Sequence, residues 1–275
     1  MIMGGIPYYL SLLSSKLSLS QNIDKLFFTE AGELWDEFEH LYNTLFTNSE
    51  NYIKVVEALS HKRGGLTRVE IVEKTKLKGN GDLSAILKNL ELSGFIRATN
   101  FYKKAKKDTL YQLRDYFTAF YFQFIKYNYG KDEHYWSNST DNPSRRAWEG
   151  LIFEQVCKDH IFAIKQKLGI SGILSEESAW FVRADKESGT SGAQIDLLIK
   201  RRDRVITICE IKFSSGEYQI TKDFDLNLRN KVEQFKAETN CKESIQLVML
   251  TTYGVKKNEY SSVIQKQIVM DDLFS

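Results

Sequence analysis

Two apolar runs joined by a short charged turn constrain this chain more than any other feature: Ile195-Asp196-Leu197-Leu198-Ile199 and Val205-Ile206-Thr207-Ile208-Cys209-Glu210-Ile211-Lys212-Phe213. Their aliphatic and β-branched content predicts two strands, and the turn from Arg201 to Arg204 predicts that they fold back on each other. Each run nevertheless carries ionisable residues where a core strand should have none. Burying such a charge costs several kcal/mol unless it is paired or meets a cation. Asp196, Glu210 and Lys212 therefore demand a reason.

Strand side chains alternate faces with period two, so Glu210 and Lys212 share one face and Ile211 takes the other. If the hairpin closes at Arg201 to Arg204, Ile199 pairs near Val205, which sets Asp196 opposite Ile208 and diagonal to Glu210. Two carboxylates and an ammonium then converge. Carboxylate oxygens near a strand end are the hard ligands that Mg²⁺ or Mn²⁺ takes, with water and substrate phosphate completing the shell. A lysine beside them can orient the attacking water and stabilise negative charge developing on phosphate. The bland alternative is an ion-paired core triad with no chemistry.

The flanking pattern predicts a helix from Arg146 to about Leu168, a strand from Ala179 to Ala184 and a Gly/Ser loop from Glu187 to Gly192. The hairpin follows, then a helix from about Thr221 to Glu238 and a strand from Ile245 to Thr251. Residues 144–275 thus read as an α/β domain with a mixed sheet and a central hairpin. Upstream, Gly130, Asn138, Ser139, Asn142 and Pro143 mark a domain boundary. The aromatic run Tyr116, Phe117, Phe120, Tyr121, Phe122, Phe124 and Tyr127 reads as a buried joining helix rather than a base-stacking platform, within a linker region 115–143.

Residues 51–114 follow a different order. Val55, Val56 and Leu59 mark one helix; Thr67, with Glu70 three residues on, caps a second; Leu83, Ile86, Leu87 and Leu90 mark a third that stops at Gly94. Two strands, Phe95 to Ala98 and Thr109 to Leu113, then flank a lysine-rich loop. Three helices and a hairpin in this order are those of a winged helix-turn-helix. Over residues 51–115 there are 14 Lys and Arg against 7 Asp and Glu, an excess suited to a phosphate-contacting surface. The DNA-contacting candidates are Lys88 on the third helix and Lys103, Lys104, Lys106 and Lys107 in the wing. The competing reading is a solvated charged face on a protein connector.

Residues 1–50 form a helical segment in which Lys16 and Lys25 face Asp24, Glu30, Glu33, Asp36, Glu37, Glu39 and Glu50, so this part should touch protein rather than phosphate. Tyr8, Leu10, Leu12 and Leu13, and later Leu34, Phe38, Leu41, Tyr42 and Leu45, are its expected apolar stripes. The fold class is thus multi-domain α+β.

Composition narrows the functions further. The three cysteines, Cys157, Cys209 and Cys241, form no CxxC pair, and His40, His61, His134 and His160 are scattered, which argues against a zinc site or a histidine triad. The first residues lack the basic start and apolar run of a signal peptide, and no stretch approaches a membrane span. A cytoplasmic protein without a membrane partner is expected. Lys222 and Gln234, on the helix after the hairpin, are assigned to the helix surface.

Asp196, followed at 14 residues by Glu210-Ile211-Lys212 on the adjacent strand, resembles the PD-(D/E)XK nuclease superfamily. Glu154, within Gly150-Leu151-Ile152-Phe153-Glu154 on the preceding helix, resembles the additional acidic position of many members, which supports the metal. The proline that names the motif is absent, with Ile195 in its place. The resemblance implies Asp196, Glu210 and Lys212 as catalytic residues, and Glu154, Asp196 and Glu210 as ligands of Mg²⁺ or Mn²⁺. Gly4-Gly5-Ile6-Pro7-Tyr8-Tyr9-Leu10, Asn51-Tyr52-Ile53 and Asp115-Tyr116-Phe117 are similar to segments of the archaeal-type, AAA-type ATPases of prokaryotes, in the lid, winged-helix and linker regions. No GxxxxGK[ST] phosphate loop occurs here, so ATP hydrolysis by this chain alone is not expected. The reading is a Mg²⁺-dependent DNA nuclease with a winged-helix module, its partners being DNA and either a separate ATPase chain or a second copy through residues 1–50. The alternative is a non-catalytic DNA-binding or interaction module with a decayed site.

Overall fold

In the computed structural model, residues 1–62, 64–103, 109–182 and 192–274 are described. The chain divides into two compact units. Met1–Thr99 with Lys107–Trp148 form the first, and Asn100–Lys106 with Glu149–Ser275 form the second.

The first unit opens with α1 (Pro7–Ser11), α2 (Leu19–Ile23), a π-helical turn over Asp24–Phe28, and α3 (Glu37–Leu45). Tyr9 is buried here, whereas Tyr8, Leu10 and Leu45 are exposed, so the expected stripes are only partly the buried ones. Next come α4 (Ser49–Ser60), α5 (Arg68–Thr75), α6 (Gly81–Leu92) and the antiparallel pair β1 (Ile96–Thr99) and β2 (Leu110–Leu113). The Thr67–Glu70 capping box opens α5 as expected: the Glu70 backbone N–H donates to Thr67 Oγ1 at 3.3 Å, and the Thr67 N–H donates to Glu70 Oε2 at 2.8 Å. Leu66 adds a short bridge to Tyr111 beside the hairpin. Gly65 permits it, because a Cβ there would lie 2.7 Å from the Tyr111 carbonyl oxygen and its φ is +88°.

α7 (Tyr116–Phe120), a π-helical turn (Tyr121–Ile125) and α8 (Lys126–Asn128) carry the aromatic run into the core of this unit. Phe117, Phe120, Phe122 and Phe124 are buried, and Tyr121 stacks on Phe38 at 3.8 Å. The expected boundary at 128–143 is instead packed: α9 (Tyr135–Asn138) buries Trp136. Trp136 meets Trp148 at 6.0 Å, and the Arg145 guanidinium lies 3.8 Å over its ring. Aromatic area too large to leave in water closes this segment onto the helices. The division into units falls later, inside α10 (Pro143–Asp159).

The second unit contains the rest of α10, α11 (Ile161–Leu168), β3 (Ser175–Val182), β4 (Ala193–Arg201), β5 (Val205–Lys212), α12 (Lys222–Thr239), β6 (Ser244–Thr251) and β7 (Lys266–Val269). The single expected helix over 146–168 is two, parted at His160, whose ring packs edge-on against Phe274 at 4.6 Å. The sheet order is β3-β4-β5-β6-β7, with β3, β4 and β5 antiparallel and β5, β6 and β7 parallel. β7 is a strand that alternation alone did not reveal, being short with two exposed residues. α12 provides the crossover between the parallel strands β5 and β6. Leu228 and Phe235 of α12 pack with Trp180, Ile195, Leu198, Ile206, Ile208 and Leu247. The expected Gly/Ser loop falls almost wholly outside the described residues.

Among the described residues no helix is long and apolar enough to cross a membrane.

Candidate functional site

The site grows from the β4–β5 ladder. Its pairs are Leu197↔Cys209, Leu198↔Ile208, Ile199↔Thr207 and Lys200↔Ile206, so the paired ladder ends one residue short of Asp196 and Glu210. This corrects the expected register by two residues: Ile199 meets Thr207, not Val205, and Asp196 is not opposite Ile208. The cause is the turn. Arg204 takes a left-handed φ of +65°, which suits a three-residue hairpin loop over 202–204.

Glu210 is only 7% exposed. Oε1 accepts from Lys212 Nζ at 3.0 Å, and Oε2 accepts from Lys231 Nζ at 2.6 Å. Lys231 was not among the expected site residues, yet a signal for it exists. Leu228, Lys231, Val232 and Phe235 follow i, i+3, i+4, i+7 spacing, so a lysine stands on the inward stripe of α12. Lys222, at the start of that helix, is exposed, and Gln234 is half-buried.

Burial pulls the Lys212 ammonium towards neutrality, but the Glu210 charge and hydrogen bond, helped by Tyr218 and Glu154, outweigh it and raise its pKa. Lys212 Nζ lies 5.6 Å over the Phe224 ring. Asp196 is half-buried, and its Oδ1 accepts from Gln194 Nε2 at 2.5 Å.

Glu154 reaches the same place from α10, where Ile152, Phe153, Val156 and Cys157 form the buried stripe and Phe153 meets Phe213 at 5.9 Å. Burial first, then the Asp196 charge, pushes its carboxyl up to about 7, with Glu210 adding to the shift and Lys158 and Lys212 opposing it. The structure therefore brings Glu154, Asp196, Glu210 and Lys212 into one electrostatic neighbourhood, together with Lys231 and Tyr218. Tyr218 has no sequence signal. Burial chiefly raises its phenol pKa, Lys212 opposes the rise and Glu210 adds to it.

The expected DNA-contacting lysines fare differently. Lys88 is exposed on α6. Lys103 is not a free wing residue: its Nζ donates to the Thr239 carbonyl oxygen at 2.6 Å, at the C-terminal end of α12. The reason is the neighbouring Tyr102, which is buried in the apolar cluster of the second unit and carries Lys103 to a helix end where carbonyls favour a cation. Lys104, Lys106 and Lys107 lie outside the described residues.

Among the described residues no group of three or more His, Cys, Asp or Glu is disposed to hold a metal ion. The donors here are two carboxylates, Glu154 and Asp196, whose mutual repulsion contributes to the high Glu154 pKa, while Glu210 is engaged by two ammonium groups. Two carboxylates that repel each other fit a hard divalent ion that keeps most of its waters, as Mg²⁺ does. It does not fit a soft or fully protein-enclosed metal. Compared with protein-family models, with curated proteins and with solved structures, the chain matches none, so its functional reading stands on this geometry and on its sequence.

Proposed function

We propose that the second unit is a Mg²⁺- or Mn²⁺-dependent nuclease of the PD-(D/E)XK kind, hydrolysing phosphodiester bonds in DNA. The observation that carries this reading is the set of Asp196, Glu210 and Lys212 on two adjacent strands, with Glu154 electrostatically coupled to them from α10. Glu154 and Asp196 would hold the ion; Lys231 fixes the Glu210 carboxylate, and Glu210 in turn orients the Lys212 ammonium. Lys212 then meets the negative charge that develops on the phosphate and orients the attacking water. A bound divalent ion supplies Lewis acidity and a more acidic water.

The first unit is proposed to be a winged-helix DNA-binding module, on the strength of its order α4, α5, α6, β1, β2. Lys88 is its exposed cation on α6. Its partner would be an ATPase of the AAA type, or a second copy, meeting residues 1–50, where Tyr8, Leu10 and Leu19 are exposed.

A second reading has its own support. Because Lys212 and Lys231 together occupy both oxygens of Glu210, the triad can serve as an ion-paired anchor for α12, in a non-catalytic DNA-binding module. Incubation with branched, single-stranded and duplex DNA and Mg²⁺ or Mn²⁺ separates the two. Cleavage by the unaltered chain that falls at least about 100-fold in Asp196→Asn and Lys212→Met supports hydrolysis. DNA binding with no cleavage of any substrate supports the anchor.

A further inference from the structure

Tyr218 sits on the loop that leaves the carboxyl end of β5, at the junction of the two parallel strands that carry α12 between them. Its main chain is pinned from both sides. The Tyr218 N–H donates to the Gly254 carbonyl at 2.8 Å, and the Lys256 N–H donates to the Tyr218 carbonyl at 2.9 Å, a parallel bridge to Val255 on the loop after β6. Its ring stands edge-on to Phe224 at 5.3 Å, and the same Phe224 ring lies beneath Lys212 Nζ. One aromatic platform thus carries both the phenol and the ammonium. The side chain is half-buried, so it is held without being sealed from solvent.

We propose that the Tyr218 hydroxyl is a further substrate-contacting group of this site, donating a hydrogen bond to a phosphate oxygen of the DNA beside Lys212. The inference rests on the nuclease reading above. Loops beyond the carboxyl ends of parallel strands are a recurrent place for ligand contacts. A phenol raised above its ordinary pKa by burial remains a proton donor at neutral pH, as an anionic oxygen requires. Fixing the loop at Gly254 and Lys256 places that donor in advance, so little ordering is needed when the phosphate arrives. The hydroxyl would act on substrate binding and on the transition state; it transfers no proton and forms no covalent bond.

The test uses Tyr218→Phe in the full chain, which keeps the ring on Phe224 and removes only the oxygen. Anisotropy of a labelled DNA duplex with Ca²⁺ measures binding, and cleavage with Mg²⁺ measures turnover; thermal unfolding checks the fold. A hydrogen bond to a charged oxygen predicts about a tenfold or greater loss of binding, cleavage or both, with an unchanged melting temperature. If the unaltered chain cleaves DNA and Tyr218→Phe matches it within about twofold in both assays, the Tyr218 assignment is wrong while the nuclease reading stands. If the unaltered chain cleaves nothing and Lys212→Met binds DNA as well as it does, the nuclease reading fails and takes this assignment with it.

Discussion

Asp24 in the first unit and Glu210 in the second are both buried carboxylates, 3% and 7% exposed, yet they are satisfied in opposite ways. Asp24 is held by main chain. Oδ1 accepts from the Trp136 N–H at 2.7 Å, and Oδ2 accepts from the Ser137 N–H at 3.1 Å and from the Ser137 hydroxyl. These donors open the short helix α9 and cannot move without unfolding it. Glu210 is held by two lysine side chains, Lys212 and Lys231. Beside it, Glu154 and Asp196 repel rather than pair. A carboxylate met by fixed N–H groups is a clamp. One met by ammonium groups, beside two carboxylates that repel each other, is the arrangement the proposed ion site requires.

The largest effect that sharpens this contrast comes from Tyr102, in the second unit. Tyr102→Ala removes a ring that packs on Phe235 at 5.5 Å within the second unit's apolar cluster, and should cost about 3 kcal/mol or more in urea unfolding. A loss under about 1 kcal/mol would mean that Tyr102 is dispensable to that core.

Clamp and binding site then separate by substitution. Asp24→Ala should cost about 3 kcal/mol, since it strips charged hydrogen bonds from buried donors, and should leave any DNA hydrolysis per folded molecule unchanged. Lys212→Met should do the reverse. Its side chain is 37% exposed and Glu210 keeps Lys231, so stability should move by less than about 1 kcal/mol while hydrolysis collapses. Equal stability losses in the two variants would erase the distinction.

A smaller effect tests the strain at Glu154. Its folded pKa, about 7, exceeds its ordinary value of 4.5, so the folded protein resists losing that proton. Stability from this source is complete below about pH 4.5 and declines as pH rises to about 7, above which the full penalty is present. Glu154→Gln should therefore stabilise the protein at pH 8 and have little effect near pH 4. Melting curves of the two proteins that stay parallel across that range would show that Glu154 ionises freely.

How legible this was in the sequence depended on locality. Strand alternation puts Glu210 and Lys212 on one face, and the Thr67–Glu70 cap begins α5, because both are decided within a few residues. The hairpin register hangs on one backbone choice, the left-handed Arg204, at a residue type that does not advertise it. Lys103 has the local look of a wing cation because nothing nearby in sequence shows that Asn100 to Tyr102 line the β3 edge, with the Tyr102 N–H donating to the Ala179 carbonyl at 2.8 Å. Lys231 was readable in principle from its place on an apolar helical stripe. Tyr218 was not, since its position comes from a bridge to Val255, remote in the chain.

The proposed ion site takes Glu154 and Asp196 as the half-complete shell of a divalent ion. Titration of the full chain with Mn²⁺, followed by electron paramagnetic resonance of the free ion, tests it without requiring turnover. One saturable site that Mg²⁺ competes for and that is lost in Asp196→Asn is expected. No saturable site, or one that Asp196→Asn leaves untouched, would contradict it.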